Sequence, residues 1–279
     1  MNKKILFATD LDGTLLDKTC KIPSASAARL REMTKQGLLF TVATGRHPRS
    51  TAVALEGSGL SFSAPAVCLN GAVLWDMERD FPVDAWTIDP GAMKAAWDVV
   101  ANEPVPLHVY ACDLEKKLLT RYYLPWIDPG GVSRSLGYEP TSEPPCVFAP
   151  IGHEPDPLTV CASYFDKKEK LAPINRRLRQ ISGIRTVFYA STRFPDMYYL
   201  EFYASAGGKG VAARRAMEFC GAEALYVFGD SENDVDMFAL ADRSFAPKNA
   251  SSIALEKADE IIPANTDGGV VLTVERFFR

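Results

Sequence analysis

Apolar runs of strand length alternate with helix-patterned stretches in the first part of the chain, and each run closes on polar turn residues. Residues 5–9 form the first run, and Asp10-Leu11-Asp12-Gly13-Thr14 follows at once. Residues 25–36 favour helix with Gly37 as the stop, 38–43 read as a second buried strand, and Pro48 opens a helix that fades at Gly57. A third strand at 66–69 meets Asn70-Gly71, a hairpin signal, with 72–75 as the return. This alternation of strand and helix predicts a right-handed parallel sheet, the start of a Rossmann-like core.

From about Phe81 the pattern changes. A helix beginning at Asp89-Pro90 is followed by β-rich runs at 106–112 and 118–124, then by a stretch at 125–157 that holds eight of the chain's 19 prolines. That stretch cannot be one regular element. A strand near 158–164, a charged helix at 167–180 and strands near 185–189 and 198–203 complete an insert without parallel alternation. The earlier rhythm then returns: a helix opened by Gly207-Gly208-Lys209-Gly210, a strand at 225–228 ending in Gly229-Asp230-Ser231-Glu232-Asn233-Asp234, helices at 235–240, 250–257 and 268–278, and short strands at 244–246 and 260–262. The expected class is α/β. A Rossmann-like parallel-sheet core at 1–81 and 201–279 carries an inserted α+β cap domain at 82–200.

A chain of 279 residues with 47% hydrophobic content can bury two modest cores. Its 31 basic and 35 acidic side chains, net −4, leave no basic excess, which argues against a nucleic-acid partner. The apolar run behind Lys3-Lys4 is too short for a signal peptide and no later run reaches membrane length, so no membrane partner and a cytoplasmic setting are expected. The six cysteines are far apart and form no Cys-x-x-Cys, which speaks against zinc and disulfides and for a reducing compartment. A monomer or a homodimer is expected.

In a parallel sheet, groups at the carboxyl ends of separate strands meet along one edge. Asp10 with Asp12, Thr44 with Gly45, Lys209, and Asp230 with its neighbours all stand at such positions. Two carboxylates as close as Asp10 and Asp12 repel unless a cation lies between them or one keeps its proton. A carboxylate can also attack phosphorus and form an acyl phosphate, dividing a hard displacement into two easier ones. Asp10 is therefore the expected nucleophile, and Asp12 the acid that protonates the leaving group and then the base that activates water. Asp10 and Asp230 are expected to ligate Mg²⁺ through side chains and Asp12 through its backbone carbonyl. Lys209 would offset phosphoryl charge, the Thr44 hydroxyl would donate to it, and so would the Leu11 and Gly45 amides.

These four stretches resemble the four motifs of the haloacid dehalogenase (HAD) superfamily of phosphatases. Cys68-Leu69-Asn70-Gly71-Ala72, and Glu201 eight residues before Lys209, resemble its Cof-like, subclass IIB members more closely. The resemblance implies Mg²⁺-dependent hydrolysis of small phosphorylated metabolites, often sugar phosphates, through an aspartyl-phosphate. It also implies that Asn233 helps hold the phosphate, that Asp234 supports the metal, and that a cap lies between the second and third motifs, where the insert falls. Ala246-Pro247-Lys248-Asn249-Ala250 departs from the Met-Gly-Asn-Ala usual in such relatives.

Substrate selectivity is expected from Arg46 and from the cap, with His108, Tyr110, Arg121, Tyr123, His153, Arg193 and Tyr199 as candidates. Two other functions use the same residues: a phosphomutase or phosphotransferase working through the same intermediate, and a phosphosugar-binding regulator without turnover. Loss of Asp10, Asp12 or Lys209 would mark the regulator, and all three are present.

Overall fold

The computed structural model describes residues 3–101, 103, 107–123, 146–150, 154–191 and 194–278. They divide into two compact units, residues 1–80 with 208–279 and residues 81–207.

The first unit opens with β1 (Ile5–Thr9), α1 (Ser24–Lys35), β2 (Leu39–Val42) and α2 (Pro48–Leu55). Gly37 at φ +96° turns the chain out of α1, a conformation costly to any residue with a Cβ. The hairpin β3 (Ala66–Cys68) and β4 (Val73–Asp76) follows. Leu69, Asn70 and Gly71 all have positive φ in its turn, so Asn70-Gly71 reverses the chain as its composition suggests. This reversal makes β4 the full partner of β3, which joins β2 through an isolated bridge between Ala43 and Val67. The third predicted strand therefore belongs to the hairpin and is not a full member of the parallel sheet.

The second unit contains β5 (Phe81–Ala85), α3 (Pro90–Val100), β6 (Leu107–Asp113), β7 (Leu118–Tyr123), β8 (Cys146–Pro150), β9 (Thr159–Lys167), α4 (Lys168–Leu178), β10 (Ile184–Ala190) and β11 (Met197–Ala204). Asp89 caps α3 by accepting from the Gly91 and Ala92 amides at 2.9 and 3.1 Å. Six strands form a sheet ordered β10-β11-β9-β6-β7-β8, antiparallel throughout except for the β7–β8 pair. β8 lies within the proline-laden stretch, where the sequence predicts no strand because five residues ending in proline give little alternation. Side chains alternate faces: Val109, Ala162 and Leu200 share a core with Met93, Ala96, Leu171 and Ile174 of the two helices. The opposite face carries His108, Ser163 and Glu201 in cross-strand register. The unit extends to Gly207, beyond the expected end at 200, because β11 pairs with both β9 and β10.

The first unit resumes with α5 (Lys209–Cys220), β12 (Ala224–Phe228), α6 (Val235–Leu240), β13 (Arg243–Pro247), α7 (Ser252–Lys257), β14 (Glu260–Ile262) and α8 (Gly269–Phe278). Its five-stranded parallel sheet runs β14-β13-β12-β1-β2, with Ile5 opposite Ala224 and Leu6 opposite Leu39. The chain leaves β1 toward β2 on one side and meets β12 on the other. β1 is thus the switch point where an open α/β sheet forms a crevice at its carboxyl edge. Phe7, Phe228 and Phe245 form an aromatic row across the sheet, and Phe277 of α8 meets Tyr226 edge-on at 5.2 Å. Among the described residues no helix is long and apolar enough to cross a membrane.

Candidate active site

The ends of β1 and β12 are tied to each other before any side chain is considered. The Asp10 amide donates to the Phe228 carbonyl at 2.8 Å, which fixes where both chains leave the sheet. Residues 11–15 then form an irregular turn in which Gly13 adopts φ +81°. A Cβ on Gly13 would lie 2.3 Å from Asp230 Oδ2, so the absence of a side chain is what lets the two turns approach. Gly13→Ala is expected to cost about 1–2 kcal/mol through the backbone alone. It should also displace Asp230, so urea unfolding should show a loss and phosphate release a larger one.

Lys209, the first residue of α5, is fully buried and places its Nζ 2.6 Å from Asp10 Oδ1 and 2.6 Å from Asp234 Oδ1. Burial alone would lower its pKa, but these two carboxylates raise it above its ordinary value, and the ammonium stays charged. Asp234 is occupied on its other oxygen as well. Its Oδ2 accepts from the Asp230 and Ser231 amides at 2.9 and 3.0 Å and so shapes the turn after β12. Thr14 Oγ1 donates to Asp230 Oδ1 at 3.0 Å.

Asp10, Asp230 and Asp234 are all buried, and one oxygen from each lies within 4.8 Å of the others. Burial, then the neighbouring Asp234 and Asp12 charges, drive the Asp10 pKa up to about 7 against the pull of Lys209. Asp230 is raised well above the usual carboxylate range, by burial first and then by Asp10 and Asp234. One ammonium does not neutralise three buried acids. An all-oxygen set with that excess of negative charge fits a hard metal cation, and Asp10, Asp230 and Asp234 are the side chains able to hold it.

Asp12 stands apart from this trio. Its carboxylate receives two bonds from Arg46, Nε to Oδ2 at 2.6 Å and Nη2 to Oδ1 at 2.5 Å. Burial would lower the Arg46 pKa, yet the bonds to Asp12 raise it beyond its usual value. Arg46, expected as a substrate contact, here holds Asp12. Thr44 Oγ1 accepts from the Arg46 amide at 3.1 Å, which leaves its own proton to donate. A Cβ on Gly45 would be 3.0 Å from the Asn70 side-chain Nδ2, so a larger residue there would press on the Asn70 carboxamide. Leu11 is buried at the head of the first turn. Asn233 Nδ2 donates to Asn70 Oδ1 at 2.9 Å, and Asn233 Oδ1 accepts from Ser231 Oγ at 2.7 Å. From the sequence Asn70 is a hairpin residue within the Cof-like stretch 68–72, and its contact with Asn233 comes from the fold, which holds it at positive φ.

Within the second unit, Arg121 and His108 lie side by side, Nη2 to Nε2 at 3.0 Å, and the Arg121 guanidinium lies 6.0 Å from the Tyr110 ring. Burial, with the Arg121 charge added to it, holds the His108 pKa well below its ordinary value. Tyr199 stacks on Tyr189 at 5.3 Å. Ser163 and Tyr189, which no sequence pattern marks, donate to Glu201 at 3.2 Å each. His153 and Arg193 lie outside the described residues, as do residues 124–145 of the proline-laden stretch.

Comparison with known proteins places the chain in a family. The chain is 25% identical to the 5-amino-6-(5-phospho-D-ribitylamino)uracil phosphatase YwtE of Bacillus subtilis, over 96% of each chain. Among solved structures, a haloacid dehalogenase-like hydrolase from B. subtilis superposes with a TM-score of 0.74 at 23% identity, covering 97% of this chain and 98% of that one. TM0651 from Thermotoga maritima gives 0.72 at 24% identity, covering 99% and 97%. The sequence profile of the haloacid dehalogenase-like hydrolases matches residues 7–274, and the chain belongs to that family, in its Cof-like branch.

Proposed function

We propose that this hydrolase is a Mg²⁺-dependent phosphatase of small phosphorylated metabolites, sugar phosphates foremost, working through a phosphoryl group carried on Asp10. The observation that carries the reading is the buried trio of Asp10, Asp230 and Asp234 with the Lys209 ammonium on Asp10 Oδ1. Lys209 occupies Oδ1, so Oδ2 is the oxygen of Asp10 that meets phosphorus. The Asp10 Oδ2–phosphorus bond forms while the bond from phosphorus to the ester oxygen breaks, and the departing alkoxide takes a proton from Asp12. Water then attacks phosphorus, Asp12 takes its proton, and the bond to Asp10 breaks to release inorganic phosphate, restoring the Asp10 carboxylate and the Asp12 carboxylic acid. A bound Mg²⁺, held by Asp10 and Asp230 and supported by Asp234, would neutralise charge between the nucleophile and the phosphate.

Thr44, Lys209, Asn233 and the Leu11 and Gly45 amides hold the phosphoryl oxygens. Asp12 must part from Arg46 at least briefly to move its proton, and Arg46 can then turn to an anionic part of the substrate. Residues of the inserted unit, His108, Tyr110 and Arg121 among them, select the leaving group. The likeness to a relative named for a phosphorylated ribityl compound supports a polyol phosphate as the substrate class.

The test is phosphate release from a panel of sugar phosphates, a polyol phosphate, nucleotides, pyridoxal phosphate and an aryl phosphate, with Mg²⁺ and with chelator. Release that needs Mg²⁺ and favours a sugar or polyol phosphate is the expected result. No release by folded, Mg²⁺-bound protein would turn the reading toward the phosphotransferase or the binding protein, which a bisphosphate activator and ligand titration would separate.

A further inference from the structure

The loop after β13 has no task in the proposed chemistry. Its contacts suggest one. Asn249 Nδ2 donates to the Gly13 carbonyl at 2.8 Å, across 236 residues of sequence. Asn249 Oδ1 accepts from the Asn265 amide at 2.9 Å, and Asn265 Nδ2 donates to the Leu16 carbonyl at 2.8 Å. Two asparagines joined in series thus grip the turn that carries Asp12, one carbonyl on each side of Thr14. The same loop also holds the other half of the site, because the Ser251 amide donates to the Asp230 carbonyl at 2.8 Å. Its own shape is fixed by β13 ending at Pro247, by the Lys248 amide donating to Ile262 and by the Ala250 amide donating to Pro247.

We propose that residues 247–251 together with Asn265 form a clamp that sets the separation between the Asp10–Asp12 turn and Asp230, with Asn249 and Asn265 as its positioning residues. The inference rests on the phosphatase reading for its catalytic consequence, but the clamp itself is a property of the turn. The need for it follows from the approach at Gly13, whose Cα has no side chain facing Asp230 Oδ2. A turn with that glycine at φ +81° has backbone freedom to drift, and Thr14 to Asp230 is one neutral hydroxyl bond against the repulsion of three buried acids. Asparagine suits the task because one planar amide donates and accepts at once without adding charge to an already acidic site. An aspartate in its place would keep the acceptor for Asn265 and set a second oxygen against the Gly13 carbonyl.

Two measurements on the full chain test the clamp. Hydrogen exchange read by peptide mass spectrometry should show amides in the 10–17 region exchanging about tenfold faster in Asn249→Ala and in Asn265→Ala, as expected for a local opening eased by one lost bond, with β12 and α5 unchanged. With para-nitrophenyl phosphate and Mg²⁺, kcat should fall by a similar factor while KM stays near the parent value, because the reacting groups lose register and not the phosphate donors. Asn249→Asp should lose as much as Asn249→Ala despite its conserved shape. The double variant should cost little more than the larger single one, since the two residues act in series. Exchange unchanged at 10–17, or raised equally through the whole core, would overturn the clamp. Parent protein that releases no phosphate while Asn249→Ala still exchanges faster at 10–17 would refute the phosphatase reading and leave the clamp standing.

Discussion

Replacing Asp10 by asparagine is expected to abolish turnover while leaving the fold in place. The carboxamide has nearly the volume of the carboxylate, and the Asp10 amide bond to Phe228 does not involve the side chain. An amide oxygen cannot form a stable acyl phosphate, so the loss should fall on kcat and reach at least about a thousandfold. Stability should hold or rise, because the variant removes one of the buried acids whose mutual repulsion and desolvation already push Asp10 to about 7. Near-normal activity in this variant, with the substitution verified, would remove Asp10 from the chemistry. Unfolding by the conservative change would instead show that its role in the apo protein is structural.

The second large effect belongs to Lys209. Its ammonium is the internal counter-ion of the site, fully buried and shared by Asp10 and Asp234. Lys209→Met fills much of the same space without the charge and leaves the carboxylates to one another. Breaking a buried pair from one side costs about 3–5 kcal/mol, and a loss in that range is expected in urea unfolding with chelator present. Metal binds the native trio and not the unfolded chain, so saturating Mg²⁺ should recover more stability in the variant than in the parent. Activity should fall as well, since Lys209 also faces the phosphoryl oxygens in the proposed chemistry. A loss below about 1 kcal/mol, the scale of an exposed ion pair, would mean that Lys209 is not the counter-ion.

Much of this site was legible because each part is local. An apolar run ending in Asp10-Leu11-Asp12-Gly13-Thr14 and a second ending in Gly229-Asp230 are short-range patterns, and the parallel sheet gathers whatever its strand ends carry. Gly207-Gly208-Lys209-Gly210 marked the start of α5 in the same way. What the sequence did not reveal are pairings chosen by the fold. Arg46 reads as a free cation beside Thr44, and only the approach of two turns places it on Asp12. Asn70 and Asn233 are 163 residues apart, and no spacing rule connects them. The hairpin of β3 and β4 is legible in Asn70-Gly71, but that β3 joins the parallel sheet through no more than the bridge between Ala43 and Val67 is not. The insert runs on to Gly207 for a similar reason, since the reach of β11 is decided by β9 and β10 and not by its own residues. The short strand β8 is stabilised by pairing with β7, information that its proline-rich surroundings conceal.

A phosphoryl group that passes through Asp10 can be caught there by acid-quenched peptide mapping. The protein is mixed with its best phosphate ester and Mg²⁺, stopped in acid within the first turnover and digested at low pH, where acyl phosphates survive. The peptide holding Asp10 is expected to gain the mass of one phosphoryl group, hydroxylamine to remove it, and Asp10→Asn never to acquire it. A competent parent enzyme whose Asp10 peptide stays unmodified at every quench time, or a phosphoryl group found on another residue, would contradict passage through Asp10.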